Sequence, residues 1–216
     1  GMTPLELIKK YKKENIYKNK VCYAGRLDPM ASGKMIFLLG DECKRMVSYC
    51  NLNKTYEFTV LFGFTSDTYD LLGEVLSYDL FDNLPDMNLN QFIGKILQEY
   101  PSYSSIGVEY NGKKRPLWEL AKNGKIKDIK IPTKEVEIFS LEEIKQTEII
   151  NDYQELYNYI VKNINLLSLE YREKFRYQKI IDSWELIFDK IKCSKRKPII
   201  KKFRANVSSG TYIRSL

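Results

Sequence analysis

Tyr23-Ala24-Gly25-Arg26-Leu27-Asp28-Pro29-Met30-Ala31-Ser32-Gly33 is the stretch around which this chain is organised, and Lys34-Met35-Ile36-Phe37-Leu38-Leu39-Gly40 follows it directly. Gly25 and Gly33 permit tight turns or close backbone approach, and Pro29 stiffens the position after the acid. The apolar run behind the loop predicts a buried strand. An acid displayed on a stiff loop against a core strand suits a nucleophile or a base. Aspartate is also an ordinary turn former, so the stretch by itself leaves both roles open.

Upstream of this loop, Thr3 is placed to cap a helix with Pro4 at its first position, and the pattern runs to about Glu14 with Leu5, Ile8 and Tyr11 or Lys12 on one face. Downstream, Asp41–Val47 predicts a short helix, and Lys54–Gly63 alternates as a strand does. Thr65–Gly73 is a polar turn with the chemistry of an Asx-turn. Leu84–Tyr100 carries Leu89, Phe92, Ile93, Ile96 and Leu97 at helical spacing and is predicted helical. The segment Asn111–Gly124 brings Lys113, Lys114 and Arg115, suited to phosphate contact, ahead of Trp118, which is expected in the core. Lys134–Phe139 alternates as a strand. From about Leu141 to Lys192 the pattern turns helical, with Tyr153, Leu156, Tyr157, Ile160, Val161 and Ile164 in one stripe and Trp184, Ile187, Phe188 and Ile191 in a second. A basic linker, Lys192–Lys197, then enters a strand at Lys201–Val207.

Composition narrows the chemistry. The 216 residues suffice for one domain with a substantial core, and 44% hydrophobic with 13% aromatic residues excludes a disordered chain. The 35 Lys+Arg against 28 Asp+Glu leave +7 at pH 7, a balance that favours a polyanion such as nucleic acid. With no histidine, neither a Ser-His-Asp or Cys-His centre nor an imidazole-bound zinc is available. Cys22, Cys43, Cys50 and Cys193 form no Cys-x-x-Cys pair and read as reduced, mostly buried thiols of an intracellular protein. No apolar run approaches the roughly 20 residues of a membrane span, and no signal peptide is visible. Catalysis must therefore rest on carboxylates, tyrosines, lysines and arginines.

The loop resembles the signature of the TruB family of pseudouridine synthases, Gly-His-Thr-Gly-Thr-Leu-Asp-Pro-x-Ala-Thr-Gly, through Gly25, Leu27, Asp28, Pro29, Ala31 and Gly33. Tyr23 stands where the family has histidine, and Arg26 where it has threonine. Because Gly-Arg-Leu-Asp is also the form of the related RsuA-type synthases, the remaining segments decide the branch. Lys54-Thr55-Tyr56 resembles the Lys-x-Tyr that heads a strand in the family. Thr65–Gly73 resembles Thr-Asp-Thr-x-Asp-x-x-Gly, and Pro101–Gly124 resembles the segment that forms the family's thumb loop. Ser208-Ser209-Gly210-Thr211-Tyr212-Ile213-Arg214 resembles Ser-x-Gly-Thr-Tyr-Ile-Arg, the longest of these motifs, and it selects TruB. Residues 1–139 and 202–216 carry the resemblance, with the motifs in family order.

The resemblance implies an α+β pseudouridine synthase fold: a mixed, mostly antiparallel central sheet flanked by helices, forming one catalytic domain over 1–216. Within it, 102–134 is expected to be a thumb-like RNA-binding loop and 141–192 a helical insertion packed on the body, dispensable for the chemical step. The chain is expected to be C-terminally incomplete, without the small RNA-binding PUA domain. Asp28 is implied as the catalytic residue, with Tyr56, Arg214, Tyr212, Tyr23, Arg26 and Lys54 binding substrate and Lys113, Lys114 and Arg115 on the RNA backbone. No metal or cofactor is implied. A carboxylate entering a cleft loses solvation, and Arg214 is expected to offset this through a planar, two-pronged contact. The implied activity is isomerisation of a uridine, in the T-loop of tRNA, by a monomer. A non-catalytic RNA-binding or RNA-folding protein on the same scaffold, or a synthase acting on another RNA, are the alternatives.

Overall fold

Strand β10 (Ile199–Val207) is the centre of the structure, a computed structural model that describes residues 2–149, 152–165 and 176–216. Ile199, Phe203, Ala205 and Val207 point to one face and are buried, as the two-residue period of a strand requires. The other face carries Lys202, Arg204 and Asn206. β3 (Lys54–Phe62) pairs along one side of β10 and β9 (Thr133–Ile149) along the other, with β6 (Gly94–Glu99) outside β9. The described strand pairs are antiparallel throughout. Under the sheet, Ile138, Ala205 and Val207 pack with Tyr56, Phe58, Ile96 and Leu141, and the rings of Phe58 and Phe203 stack at 5.7 Å. On the outer face Arg204 joins Glu57 at 2.8 Å and Glu142 at 3.2 Å. Exposed pairs of this kind contribute only about 0–1 kcal/mol each, so the apolar face is what holds the sheet together.

The remaining strands form ribbons around it. β1 (Val21–Ala24) pairs with β2 (Ile36–Leu39), the two ends framing the Asp28 loop. The expectation of a buried strand behind that loop fails in part. Only Leu38 is buried, while Ile36 on the same face and Leu39 on the other are exposed, so the ribbon is covered at its Leu38 end and bare towards the Asp28 loop. Helix α1 (Pro4–Glu14) has the expected Thr3 cap, strengthened by a reciprocal bond from the Thr3 N–H to Glu6. A 3-10 turn at Gly40–Arg45 and α2 (Met46–Cys50) occupy the predicted Asp41–Val47 helix region. β4 (Phe64–Ser66) and β5 (Val75–Tyr78) flank the polar turn.

Three further expectations are corrected. Leu84–Tyr100 is not a helix: a 3-10 turn at Leu89–Phe92 precedes β6, where Ile96 and Gln98 turn inward and Leu97 outward. The apolar spacing there satisfies both periods, and pairing with β9 decides for the strand. Trp118 is exposed; on α3 (Leu117–Lys122) it is Leu117 and Leu120 that fill the core. That helix follows a hairpin, β7 (Gly107–Tyr110) and β8 (Lys113–Pro116), whose Asn111-Gly112 turn has φ of 51° and 70°, the left-handed pair of a type I′ turn. The cysteines differ as well, since Cys43 is buried, Cys22 and Cys50 half-buried and Cys193 exposed.

The 141–192 segment begins as strand rather than helix, because β9 continues to Ile149 along β10 and pairing overrides the helical composition of Glu142–Glu148. Its helices are α4 (Tyr153–Asn165) and α5 (Tyr177–Ile191). Residues 150, 151 and 166–175 of the expected insertion lie outside the described residues. Ile160, Ile164, Ile180 and Trp184 from these helices make the largest core, against Leu72 and Leu80 of the body. Met30 of the Asp28 loop also packs on this core.

Polar contacts clamp α5 to the turn between β4 and β5. Arg176, at the cap position of α5, places Nη1 2.7 Å from both Asp67 Oδ2 and Glu74 Oε1. Its guanidinium lies 4.6 Å from the centre of the Tyr103 ring, and the Tyr103 hydroxyl donates to Asp67 Oδ2 at 3.0 Å. Ser183 Oγ accepts from the Val75 N–H, and Trp184 Nε1 donates to the Leu71 carbonyl.

Two outcomes follow from this packing. Ile160→Ala, which empties a fully buried site in α4, should lower stability by about 2–5 kcal/mol in urea unfolding. A loss below about 0.5 kcal/mol, the level of an ordinary surface substitution, would mean that α4 is not part of the core. Burial first, then the Asp67 charge, pushes the Tyr103 hydroxyl from 10.0 up to about 12. A group raised in the folded state contributes stability that is complete below pH 10 and lost as pH climbs through about 12. The parent should therefore lose stability relative to Tyr103→Phe across that alkaline window, read from urea midpoints. A constant difference at every pH would refute the burial of this phenol.

Candidate active site

Asp28 sits at the tip of the β1–β2 ribbon, where its carbonyl accepts from the Ala31 N–H at 2.9 Å and closes the turn the motif suggested. Its carboxylate is half-exposed, at 51%. Arg214 arrives from the other end of the chain. β10 ends at Val207, and the Ser208–Tyr212 segment then turns into a 3-10 turn at Ile213–Ser215. Gly210 makes that turn possible: its φ is +82°, and a Cβ there would overlap the Lys134 ammonium. The two motifs meet as the resemblance implied. Arg214 Nε lies 2.8 Å from Asp28 Oδ2 and Nη2 donates to Asp28 Oδ1 at 3.4 Å. The shorter prong is an ion-pair contact rather than an aligned hydrogen bond.

The guanidinium itself is largely buried, with 16% of the side chain exposed. Its Nη1 donates to the Thr68 carbonyl at 3.1 Å and lies 3.5 Å from Asp70 Oδ2. Asp70 also accepts from Thr68 Oγ1 at 2.6 Å and from the Leu72 N–H at 2.9 Å. Burial nevertheless pushes the Asp70 carboxyl above the usual carboxylate range, against the pull of Thr68 and Arg214. Desolvation, expected at Asp28, falls instead on Asp70. Asp28 faces solvent and stays open to a ligand.

Tyr56 and Tyr212 border the same space. Burial raises both hydroxyls above the ordinary tyrosine value, and the Asp28 charge adds to the rise in each. Tyr56 is held from β3, opposite Ala205 of β10. Tyr212 is pinned by Gln98, whose amide accepts from the Tyr212 N–H at 2.8 Å and donates to its carbonyl at 3.0 Å. Its ring meets Tyr100 edge-on at 5.5 Å.

The other sequence-derived residues are placed differently. Lys54 is turned inward, its Nζ donating to the carbonyls of Cys50 and Leu52 at 2.9 and 2.8 Å. Burial lowers its pKa, and Lys134 adds to the effect. Ser209 Oγ donates to the same Cys50 carbonyl, so Lys54 helps tie the head of β3 to the C-terminal motif. Tyr23 lies at the end of β1 with its ring edge-on to Phe37 at 6.5 Å. Arg26 is exposed on the loop. Lys113, Lys114 and Arg115 line the exposed β8 strand, Arg115 pairing with Glu119 at 3.0 Å. Among the described residues no hydrogen bond or ion pair joins this trio to the Asp28 loop.

Three contributors escaped the sequence reading. Thr68 and Asp70 lie in the polar turn Thr65–Gly73, whose motif resemblance gave no role to either side chain. Gln98 was hidden inside the wrongly assigned helix, where its inward position could not be read. Among the described residues no group of three or more His, Cys, Asp or Glu side chains gathers as metal ligands, and no helix is long and apolar enough to cross a membrane.

Known proteins similar to this chain point to one family. The family model described as TruB family pseudouridylate synthase (N terminal domain) matches residues 12–162. The tRNA pseudouridine synthase B of Acaryochloris marina is 36% identical over 146 residues, covering 66% of this chain and 48% of that protein. The tRNA pseudouridine synthase 4 of Saccharomyces cerevisiae is 30% identical over an alignment of 238 residues, covering 96% of this chain and 58% of that protein. A chain of the solved Cbf5-Nop10-Gar1 complex superposes with a TM-score of 0.45 at 16% identity, covering 100% of this chain and 39% of its own, too loosely to carry an argument. The chain spans about half the length of the curated relatives it matches. With a family model matched across more than half of its residues, the chain belongs to the TruB family of pseudouridylate synthases.

Proposed function

We propose that this chain carries the catalytic centre of an RNA pseudouridine synthase that converts a uridine of tRNA, in the T-loop, to pseudouridine. The observation that supports it most is the Asp28–Arg214 contact, which unites two motifs 186 residues apart around a solvent-facing carboxylate. The names of the relatives support tRNA as the substrate class, and the excess of Lys and Arg suits a polyanion.

The reaction breaks the N-glycosidic bond, rotates the uracil and rejoins it through C5, with the C5 proton lost to solvent. Asp28 is the acting carboxylate. Adding to the sugar and removing a sugar proton place the same demand on the chain, an anion fixed beside the ribose. Arg214 holds that anion, since a planar guanidinium offers parallel donors where an ammonium offers only charge. Tyr56 and Tyr212 present half-buried ring faces on which uracil stacks after leaving its place in the RNA, a step that itself costs a few kcal/mol. Tyr23, an aromatic where the family pattern has histidine, fills the vacated place in the RNA stack. Arg26 and the Lys113–Lys114–Arg115 strand hold phosphates, whereas Lys54 acts from beneath by fixing β3. The chain is proposed to work as an intracellular monomer, without metal or cofactor.

Tritium release from RNA labelled at uracil C5 tests the assignment. Asp28→Asn should abolish release while leaving RNA binding nearly intact, because phosphate contacts elsewhere supply most of the affinity. Arg214→Lys should bind as the parent does and turn over roughly tenfold slower or worse, from lost orientation. Full activity in Asp28→Asn would end the proposal, and RNA binding by a parent that releases no tritium would favour a non-catalytic RNA-binding role.

A further inference from the structure

We infer that Arg176, carried by the helical insertion, is a positioning residue for Arg214 and through it for the Asp28 carboxylate. This rests on the reading of Asp28 and Arg214 given above.

Arg214 is not held by its own neighbours. Its Nη1 rests on the Thr68 carbonyl and the Asp70 carboxylate, both from the turn between β4 and β5. The placement of Arg214 is therefore only as firm as that turn. Internally the turn is held by Asp67, whose Oδ1 accepts from the Glu74 N–H at 3.0 Å, and by Ser66 Oγ, which donates to the Asp70 carbonyl at 2.7 Å. Tyr69, in between, has a φ of 58°, a left-handed conformation that a tyrosine adopts only under constraint. The packing leaves no slack, since a Cβ on Gly73 would overlap Thr68 Oγ1 and Asp67 Oδ1.

Asp67 and Glu74 close the two ends of the turn, and side by side they repel. Among the described residues the one cation bridging them is Arg176, 2.7 Å from each and only 16% exposed. Removing it leaves two neighbouring, partly buried carboxylates without their shared partner, a situation that costs far more than losing a surface pair. The turn would open at its ends, and the Thr68 carbonyl and Asp70 would move with it. Tyr103 stacks on the same guanidinium and bonds to Asp67, so the start of the thumb-like segment is tied in as well. On this account the insertion is part of the scaffold of the site and is not dispensable for the chemical step.

The test compares Arg176→Ala, Arg176→Lys and a control, Ile160→Val, which trims the same insertion's core without touching the turn. Two quantities are read: the single-turnover rate of tritium release per folded molecule, and the NMR signals of the Arg214 side chain, assigned by their loss in Arg214→Lys. Arg176→Ala should slow the chemical step about tenfold at saturating RNA, leave RNA affinity unchanged, and shift the Arg214 signals. Arg176→Lys, keeping the charge between Asp67 and Glu74, should recover most of both. Ile160→Val should lower the unfolding midpoint and move neither. Should Arg176→Ala not fold, Arg176→Gln, neutral but able to donate, takes its place in the same comparison. Parental rate and parental Arg214 signals in the alanine or glutamine variant would overturn the inference. A parent inactive on every RNA would sink the proposed function alone, and the Arg214 signals would still decide whether Arg176 positions this site.

Discussion

A single buried guanidinium holds the two ends of this chain together. Arg214 lies between Asp28, on a loop near the start, and Asp70, in a turn between two short strands, and it also takes the Thr68 carbonyl. An arginine suits this post because it stays charged and its donors point in fixed directions, so one side chain can register three partners at once. Burying that charge is unfavourable unless the partners are supplied. The partners come from segments that are far apart in sequence, and the fold has to deliver all of them to one point. Much of the architecture reads as the means of doing so.

The sheet does the first part. β10 is flanked by β3 and β9, and the register that sets Val207 against Lys54 also brings the C-terminal motif out beside the head of β3, where Tyr56 sits. Lys54 and Ser209 both bond to the Cys50 carbonyl, which adds partly buried polar contacts to that junction. Gln98, on the edge strand β6, reaches across to pin Tyr212 by both backbone groups. Strand geometry thus sets positions coarsely, and single hydrogen bonds set them finely. The Asp28 loop itself is left half-exposed, which keeps its carboxylate open to a ligand.

The chain was legible wherever local chemistry and tertiary demand agree. Thr3, Pro4 and Glu6 cap α1 in sequence as they do in space. The alternation of Lys54–Phe62 survives because one face of β3 is covered and the other is wet. The pairing of Asp28 with Arg214 was visible only through resemblance, since nothing in spacing relates positions 186 residues apart. Legibility failed where two patterns fit the same residues. Leu89, Phe92, Ile93, Ile96 and Leu97 suit a helix, but the neighbouring β9 strand needed a partner. Glu142–Glu148 has helical composition, yet β10 offered a continuous edge. The Asn111-Gly112 turn was a local signal that the sequence did contain and that went unread. Asp70 was legible only as a position in a motif, and Gln98 not at all, since what each side chain faces lies at distances no local pattern encodes.

The helical segment between β9 and β10 reaches the turn that holds Arg214 without lying in any of the quoted motifs. It leaves the sheet where Ile149 faces Ile199, the end opposite to Val207 and Lys54. Eight steps of strand separate those ends, about 26 Å at the usual rise. The fifteen residues of α5 extend about 22 Å as a helix. A helix of that length, joined at its C-terminal end to the start of β10, brings its N-terminal end back to the level of the site. Arg176 is the residue at that end, and the turn beneath it is the one that holds Arg214. Arg176 at the cap meets Asp67 and Glu74 at the ends of the turn, while Ser183 and Trp184 in the middle of α5 bond to Val75 and Leu71 beside it. The apolar stripe of the helix provides the attachment, and the residue at its tip provides the consequence for Asp28.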